Sequence, residues 1–490
     1  MKKRRSDPRH VYAGVLLSSA VLLLASAGMA GSEPAGRTAT DGQTTAATPP
    51  HEITVALKET PVWELANEGV RASFLTGQHA YVRALGRREV LPGKRPEFTS
   101  DAPLYGEVSF PNAVSNAGKS DRITFALDCS RKGGDYDLLY FDENGDADLT
   151  NDKVRKPSKE SQHLASRSPS IKETWFEPLE MAFDFGPGGR RTLELLPCLR
   201  IYEGSQPQFS FIAVRVHRGR FEIDGTAYET CVGYQYMIRG RFDEPSTTLI
   251  LTPEGGEPAL WWDGDTLCSV HRLGGRFWRF ACTPTGDQLF VRPYEGPVGT
   301  LEVGAAGRNV ERLAVRGSLR SKELAVAVGG DIVSGWPEPA QRCEIPAGDY
   351  YPVYLTVTLG DLRVSVSNNY HANAQGQSRP GGEPVRGIAI RQDKPYVLDF
   401  SNKPVVIFTE PQGAAQREFP VGDAIMVKAV LVDPVLDVMI RRLNVAARPP
   451  TGTSAAGREQ IEGPPASLDP KVTIARADGE IVAEGVMPFG

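Results

Sequence analysis

A short acidic loop carries residue types at a spacing that suits metal binding. It runs from Asp142 to Asp152 and follows a strand-like run at residues 136–141. Oxygen-bearing side chains stand at alternate positions, and such positions point toward one side of a tight loop. The candidate ligands are Asp142, Asn144, Asp146, Asp148, Thr150 and Asp152. Because Ca²⁺ prefers about six to eight oxygen ligands, the spacing predicts a calcium site.

The loop agrees only in part with the EF-hand pattern, although its first, third and fifth places carry the expected acids and amide. The seventh and ninth places hold Asp148 and Thr150, where that pattern uses a backbone carbonyl and a water-mediated contact. The sixth place holds Ala147 instead of glycine, and a left-handed alanine costs about 1 kcal/mol. The twelfth place holds Lys153 instead of a bidentate glutamate, with Asp152 beside it as a substitute.

We therefore expect a weak structural site. The basic residues Lys153, Arg155 and Lys156 would lower its affinity, to the range of extracellular modules at about 10⁻⁴–10⁻³ M. The alternative is a surface turn that binds nothing, because Asp, Asn and Gly are common turn residues. Five acids lie between Asp142 and Asp152, and their mutual repulsion without a counter-ion favours calcium.

Residues 133–152, GGDYDLLYFDENGDADLTND, resemble a Y-D-x-L-Y-x-D-x-N-x-D-G-D-L-T-D-D segment of large secreted proteins from planctomycete-type bacteria. Residues 284–301 and 479–490 are similar to the same group. Those relatives are largely uncharacterised. The resemblance implies secretion, a β-rich build and a strand-preceded loop of the EF-hand-like or dockerin type, and it implies no activity.

The N-terminus predicts export by a Sec-type signal peptide in residues 1–30. Basic residues at positions 2–9 precede an apolar stretch at 11–24, and small residues suitable for cleavage follow at 25–30. The alternative is an uncleaved anchor, because residues 11–30 are almost long enough to span a bilayer. No later apolar run approaches that length, so we expect no membrane span after the signal.

The charge pattern argues against nucleic-acid binding. The formal net charge is −5, and removing residues 1–30 would take away five basic groups and one acid, leaving about −9. No basic stripe interleaved with aromatic residues is present. We expect an exported protein in the periplasm, at the cell surface or secreted, with an unknown partner for which a glycan is one candidate.

Composition and turn spacing predict a mainly all-β fold of antiparallel β-sandwiches or small barrels in tandem. Glycine (50) and proline (38) are frequent, and short strand patterns recur between them. Ile123, Phe125 and Leu127 alternate on one face of a strand at 122–128, and similar patterns occur at 276–281 and 362–366. The predicted units are a linker at 31–50, a β domain with the acidic loop at 51–210, a β-meander domain at 211–300, a β domain at 301–411, and an immunoglobulin-like β domain at 412–490 with a flexible insertion at 447–470.

Two of the six cysteines are spaced as a hairpin disulfide. Cys268 and Cys282 lie symmetrically about Gly275, so an odd-length loop there would place them opposite each other. The alternative is two small buried apolar side chains that never meet. The sequence contains no CxxC motif, so nothing supports a zinc or thioredoxin-like site.

No known catalytic motif is found in the sequence. Asp263 and Asp265 follow a tryptophan pair at 261–262 and would need a distant second acid for glycoside chemistry. His217 and His271 lie in predicted strands and favour structural roles. The leading interpretation is a non-enzymatic exported β-domain protein for binding or scaffolding. The alternatives are a carbohydrate-binding module array that uses the tryptophan pair, or a hydrolase with unidentified carboxylates.

Overall fold

The computed structural model confirms the all-β prediction. It describes residues 14–15, 52–84, 93–114, 122–161, 164, 170–203, 205–259, 266–305, 310–329, 338–367, 370–372, 378–380, 387–410, 428–433, 435–436, 438–445, 466–475 and 478–486. Strands make up 57% of the described residues and helices 4%. The predicted signal segment apart from residues 14–15, the linker at 31–50, residues 447–465 of the predicted insertion and residues 261–265 lie outside them.

The strands are short and follow one another closely along the chain. The first seventeen are β1 (Gly14–Val15), β2 (Ile53–Ala56), β3 (Lys58–Pro61), β4 (Gln78–Ala84), β5 (Leu104–Ser109), β6 (Arg122–Asp128), β7 (Leu138–Phe141), β8 (Ile171–Trp175), β9 (Leu179–Asp184), β10 (Arg190–Tyr202), β11 (Gln208–Ala213), β12 (Arg215–Ile223), β13 (Thr226–Gly233), β14 (Thr248–Pro253), β15 (Ser269–Leu273), β16 (Arg276–Cys282) and β17 (Gln288–Pro293). The others are β18 (Val298–Gly304), β19 (Leu313–Arg320), β20 (Ala325–Val328), β21 (Arg342–Pro346), β22 (Gly348–Leu359), β23 (Leu362–Ser367), β24 (Tyr370–Ala372), β25 (Ser378–Pro380), β26 (Ile388–Ile390), β27 (Tyr396–Asp399), β28 (Val405–Glu410), β29 (Lys428–Asp433), β30 (Val438–Val445), β31 (Ala466–Ser467), β32 (Lys471–Ala475) and β33 (Ile481–Val486).

These strands form several mostly antiparallel sheets. The eight-stranded sheet has the order β7-β6-β5-β4-β11-β10-β8, with β9 also paired to β10. A four-stranded sheet has the order β14-β13-β12-β3. The thirteen-stranded sheet has the order β2-β17-β16-β15-β20-β19-β22-β23-β30-β29-β28, with β26 and β31 at its sides. Smaller sheets are β21-β18-β27, β1-β32-β33 and β24-β25, and the acidic loop follows the edge strand β7 of the eight-stranded sheet.

Helical structure is confined to short pieces. Among the described residues the α-helix α1 spans Glu68–Phe74, and Asn67 caps it because its Oδ1 accepts from the Val70 backbone N–H at 3.1 Å. Helix α1 buries Val70 and Phe74. Short 3₁₀ turns lie at Val62–Glu64 and Gly186–Gly188. No helix in the described part of the chain has the length and apolar character that crossing a bilayer requires.

Strand pairing runs across the predicted boundary near residue 210. β2 pairs with β17, and β3 pairs with β12, although more than 150 residues separate the members of each pair. One apolar cluster consequently holds Phe125 and Phe141 from the first segment together with Trp278 and Leu289 from the second. Residues 51–210 and 211–300 thus share a core.

A second core lies beneath the strands after β17. It joins Leu301 and Val315 to Tyr350, Leu398 and Ile440, so residues from both predicted C-terminal segments contribute to it. β15 pairs in parallel with β20. This pairing joins β16 and β17 to the strands that cover the second core, in one thirteen-stranded sheet. The first of the two cores contains Phe141, the residue directly before the acidic loop.

Candidate metal-binding loop

The acidic loop starts from a firmly held strand end. Phe141, the last residue of β7, has no exposed surface and packs in the aromatic core. The Asp142 backbone N–H donates to the Thr124 carbonyl of β6 at 3.1 Å. The first predicted ligand is therefore fixed to the sheet edge before the chain turns away from it.

The carboxylate of Asp142 holds the first half of the loop together. Its side chain is buried, and its Oδ1 accepts from the backbone N–H groups of Gly145 at 2.8 Å and Asp146 at 3.1 Å. Its Oδ2 accepts from the Ala147 N–H at 3.0 Å. Three backbone donors thus converge on one carboxylate, and they compensate for its removal from water.

The next side chains repeat one local contact. The Asn144 Oδ1 accepts from the Asp146 N–H at 2.8 Å, and the Asp146 Oδ1 accepts from the Asp148 N–H at 2.8 Å. The Asp148 Oδ1 accepts from the Thr150 N–H at 3.0 Å and from the Thr150 hydroxyl. Each acceptor lies two residues before its donor, which is the Asx turn typical of Asp and Asn. The alternating positions predicted as ligands also build the loop backbone.

The sixth place of the loop adopts the left-handed conformation that the metal-loop pattern expects. Ala147 has φ of 61° and Gly145 has φ of 74°. Alanine carries a Cβ atom that crowds the backbone in this region, whereas glycine does not. The loop therefore keeps a turn for which glycine is better suited, although this chain supplies alanine.

Replacing Ala147 by glycine should raise the free energy of unfolding by about 1 kcal/mol, because it removes the left-handed strain. Urea unfolding of both proteins at neutral pH measures the difference. As a matched control, Ala182→Gly in the middle of β9 should be destabilising, because glycine weakens a strand interior. A variant Ala147→Gly less stable than wild type would contradict the strain argument.

A cation from outside the loop meets its second half. The Lys94 backbone brackets the loop: its N–H donates to the Ala147 carbonyl at 2.8 Å, and its carbonyl accepts from Leu149 at 2.9 Å. The Lys94 Nζ lies 2.9 Å from the Asp148 Oδ2. Hydrogen bonds from Lys94, then from Thr150, lower the pKa of Asp148 to about 2. Sequence reasoning missed Lys94, which lies 54 residues before Asp148.

Two of the three basic residues expected to weaken the site, Lys153 and Arg155, form ion pairs. Lys153 forms an ion pair with Glu177 at 3.0 Å. The Arg155 guanidinium donates from Nε at 3.0 Å to Oε1 of Glu143, an acid of the loop that is not one of the predicted ligands. Because their charges are partly neutralised by these partners, Lys153 and Arg155 should lower the affinity for calcium less than predicted. Lys94 instead places a cation directly on a predicted ligand, Asp148.

Asp152 differs from the other predicted ligands in the hydrogen bonding of its carboxylate. Its Oδ2 is buried and has no hydrogen-bond partner among the described residues. Burial, and then the negative charge of Asp142, raises the pKa of Asp152 to about 6. A buried carboxylate oxygen without a donor is costly, so a cation at this point would be stabilising.

The predicted ligands have the atom type that calcium prefers, but the described carboxylates are not gathered around one point. All the predicted ligands offer oxygen, which hard cations prefer, and an ionised carboxylate has about four acceptor positions. Among the described residues, Asp142 accepts three hydrogen bonds and Asp146 two, and the Asp152 Oδ2 accepts none. The described residues nevertheless contain no group of three or more His, Cys, Asp or Glu side chains gathered as a metal site.

The structure does not bring Cys268 and Cys282 together, and both thiols are free. The hairpin turns on two residues, Gly274 and Gly275, because Leu273 pairs with Arg276. The prediction assumed an odd-length loop, and the two-residue turn shifts the register by one position. Cys282 instead pairs with Leu289 of β17, and burial raises its pKa to about 12.

A serine–histidine pair that sequence reasoning missed lies between β11 and β4. The Ser210 Oγ is 3.1 Å from the His79 Nδ1, and Arg200 donates to the same hydroxyl at 3.4 Å. Burial and the Arg200 charge lower the pKa of His79. Ser210 has no exposed surface, so a substrate cannot reach it, and the contact serves packing between strands. Strand register is the signal that would have revealed it, since Ser210 pairs with His79.

The remaining predicted residues take different places. His217 and His271 are buried in β12 and β15, as core residues would be. Asp263, Asp265 and the tryptophan pair at 261–262 lie outside the described residues. The chain matches no protein-family model, no curated protein and no solved structure, so the resemblance carried by residues 133–152 stays a prediction.

Proposed function

We propose that this chain is an exported, non-catalytic β-domain protein with a binding or scaffolding role at the cell surface or in the periplasm, and that its acidic loop holds a structural Ca²⁺. The observation that carries the metal proposal is the buried carboxylate of Asp142, whose charge raises the pKa of Asp152, together with the buried Asp152 Oδ2, which has no hydrogen-bond partner in the part of the chain that the structure describes. Two carboxylates in that position repel each other, and a divalent cation offsets the repulsion.

Four side chains would hold the ion. Asp142, Asn144, Asp146 and Asp152 keep free acceptor positions on their oxygens, whereas Asp148 is occupied by Lys94 and Thr150. The bound ion would neutralise charge and tie the loop to the sheet edge. Since most of these oxygens already hold the loop backbone, the site is suited to fixing a shape.

The experiment is a thermal and urea unfolding series in EDTA and in about 10 mM CaCl₂, with metal analysis of the purified protein. At a dissociation constant of about 10⁻⁴–10⁻³ M, this Ca²⁺ concentration adds about 1–3 kcal/mol to the free energy of unfolding. Equal stability in EDTA and in calcium would overturn the metal proposal.

The variant Asp146→Ala should lose the increase in the free energy of unfolding that calcium causes in wild type, here called the calcium increment. It removes a candidate ligand together with the hydrogen bonds to Asp148 and Asn151, so the increment and not the absolute stability is compared. The matched control is Asp478→Ala, which removes an Asx turn contact to the Glu480 N–H at 3.0 Å in a remote hairpin. That control should keep the full increment.

Export and the finer architecture belong to the same proposal. A Sec-type signal in residues 1–30 would deliver the chain, and residues 412–490 would form an immunoglobulin-like unit with an insertion at 447–470. The basic-apolar layout of the N-terminus supports export, and the antiparallel hairpin of β32 with β33, in a sheet apart from the thirteen-stranded one, supports a second layer in the C-terminal segment. Secretion of a reporter fused to residues 1–30 tests the signal.

A further inference from the structure

A groove of about 380 Å³ lies on the face of the eight-stranded sheet formed by β4, β5 and the start of β6. Strand register places its side chains on one face, because Tyr81 is opposite Glu107 and Ser109 is opposite Arg122. The lining side chains are Tyr81, Arg83, Tyr105, Glu107, Ser109 and Arg122. The volume is near the lower end for small-molecule sites, and it suits one or two sugar units.

Tyr81 presents an aromatic ring to this groove. It is 75% exposed, the largest exposed fraction among the large apolar side chains that the structure describes. By contrast, Val82 beside it in β4 is 6% exposed. A ring left in water on a sheet face offers an apolar platform that a ligand can cover, with gains typical of aromatic stacking.

The groove also offers charged groups that can exchange partners. The Arg122 Nη1 lies 3.6 Å from the Glu107 Oε2, with the two side chains 78% and 42% exposed. An exposed pair at this distance contributes little to stability, so a ligand carboxylate can take over the guanidinium at small cost. Arg83 also lines the groove, so guanidinium groups come to it from two strands, β4 and β6.

Tyr105 connects the groove to the acidic loop. Its side chain lines the groove, is 5% exposed, and packs in one apolar cluster with Leu149 of the loop. Burial, and then the charge of Glu107, raises the pKa of Tyr105, and the charge of Asp142 adds the smallest contribution. The ordered loop therefore supports one wall of the groove.

We propose that this groove binds an acidic saccharide, a sugar chain whose units carry carboxylates. The apolar face of a pyranose ring stacks on Tyr81, and the sugar carboxylate accepts from the Arg122 guanidinium, whose forked donors match its geometry. Glu107 and Ser109 bind ring hydroxyls. The inference rests on the proposed binding role of the protein, and it assigns that role a site and a ligand class.

The test is calorimetric titration of the full chain, in CaCl₂ and at low salt, with a trimer of galacturonic acid and with the neutral galactose trimer. The acidic trimer should bind, and raised salt should weaken its binding. Tyr81→Ala should weaken binding at least tenfold, and Arg122→Gln should weaken the acidic trimer about tenfold while leaving any affinity for the neutral trimer unchanged.

Matched controls separate the groove from general surface effects. Tyr354→Ala removes another exposed tyrosine, on β22, and Arg220→Gln removes another exposed guanidinium, paired with Glu254 at 3.0 Å. Both controls should bind like wild type. Absence of binding to the acidic trimer, or unchanged affinity in Tyr81→Ala, overturns the site; equal affinity for both trimers overturns the acidic ligand class.

The calcium increment measured on the same proteins keeps the two proposals distinguishable. Tyr81→Ala should retain the full increment, because the tyrosine is not a ligand. If wild type binds the acidic trimer but shows no calcium increment, the metal proposal fails and the groove stands. If the increment is present and the trimer does not bind, the groove proposal fails alone.

Discussion

Replacing Phe211 by alanine is expected to lower the free energy of unfolding by about 3–5 kcal/mol. Phe211 has no exposed surface, and its ring centroid lies 5.1 Å from that of Phe209, 5.3 Å from Phe110, 5.5 Å from Phe141 and 5.7 Å from Phe125. The substitution opens a cavity surrounded by four rigid rings, and it also removes aromatic edge-to-face contacts. Few single substitutions in the chain combine both losses.

Urea unfolding of wild type, Phe211→Ala and Phe211→Leu measures this effect. The leucine variant should lose less, because it fills most of the volume. Phe98→Ala is the control, because Phe98 is only partly buried and its ring centroid lies 6.0 Å from that of Tyr140, its single aromatic neighbour among the described residues. A loss below about 1 kcal/mol in Phe211→Ala would show that the core closes around the cavity.

The same substitution has a consequence for the loop. Phe141 contacts Phe211 and directly precedes Asp142, so a loosened core frees the strand end that fixes the first predicted ligand. The calcium increment of Phe211→Ala should therefore be smaller than that of wild type if calcium binds the loop. The core and the candidate site are linked through one strand.

Local pattern was enough to predict many strands. Ile123, Phe125 and Leu127 alternate along β6 and are all buried, and the strand predicted at 276–281 is β16, Arg276–Cys282. The pattern at 362–366 is β23, Leu362–Ser367. These successes follow from side chains alternating across a pleated sheet, which a short window of sequence records.

Long-range pairing was not predictable in the same way. The early strands β2 and β3 pair with β17 and β12, whose residues come more than 150 positions later in the chain, and Lys94 contacts the acidic loop across 54 residues. A window of residues carries no record of such partners. The disulfide prediction failed for a smaller reason, a turn of two residues at Gly274 and Gly275, which changes which side chains face each other.

In the candidate loop, some features follow from the local sequence and others depend on distant residues. The alternating Asp and Asn side chains, predicted as calcium ligands, accept hydrogen bonds from the backbone two residues later, and Ala147 at the sixth place is left-handed. The burial of Asp142 and the spare oxygen of Asp152 depend on the sheet edge behind the loop. Only the folded arrangement reveals which carboxylate is short of a partner.

Acidification should destabilise the protein through His271. This residue lies in β15 with 1% exposure, and its ring meets the edge of Phe280 at a centroid distance of 5.3 Å. Burial lowers its pKa from 6.5 to about 4. The unfolded chain therefore binds more protons between these values, so the stability from neutral His271 is complete above pH 6.5 and is lost as the pH falls toward 4. The loss amounts to about 3 kcal/mol.

The measurement is a urea unfolding series from pH 4.5 to 8.5 on wild type and His271→Leu, which removes the titrating group and keeps a similar volume. Carboxylates titrate in both proteins, so the difference between the two curves isolates His271. That difference should be constant above pH 7 and should shift in favour of the variant by about 1.4 kcal/mol per pH unit below 6.5. Burial also lowers the pKa of His217, which therefore contributes in the same direction to both curves. Parallel curves over the whole range would show that His271 is not held neutral by burial.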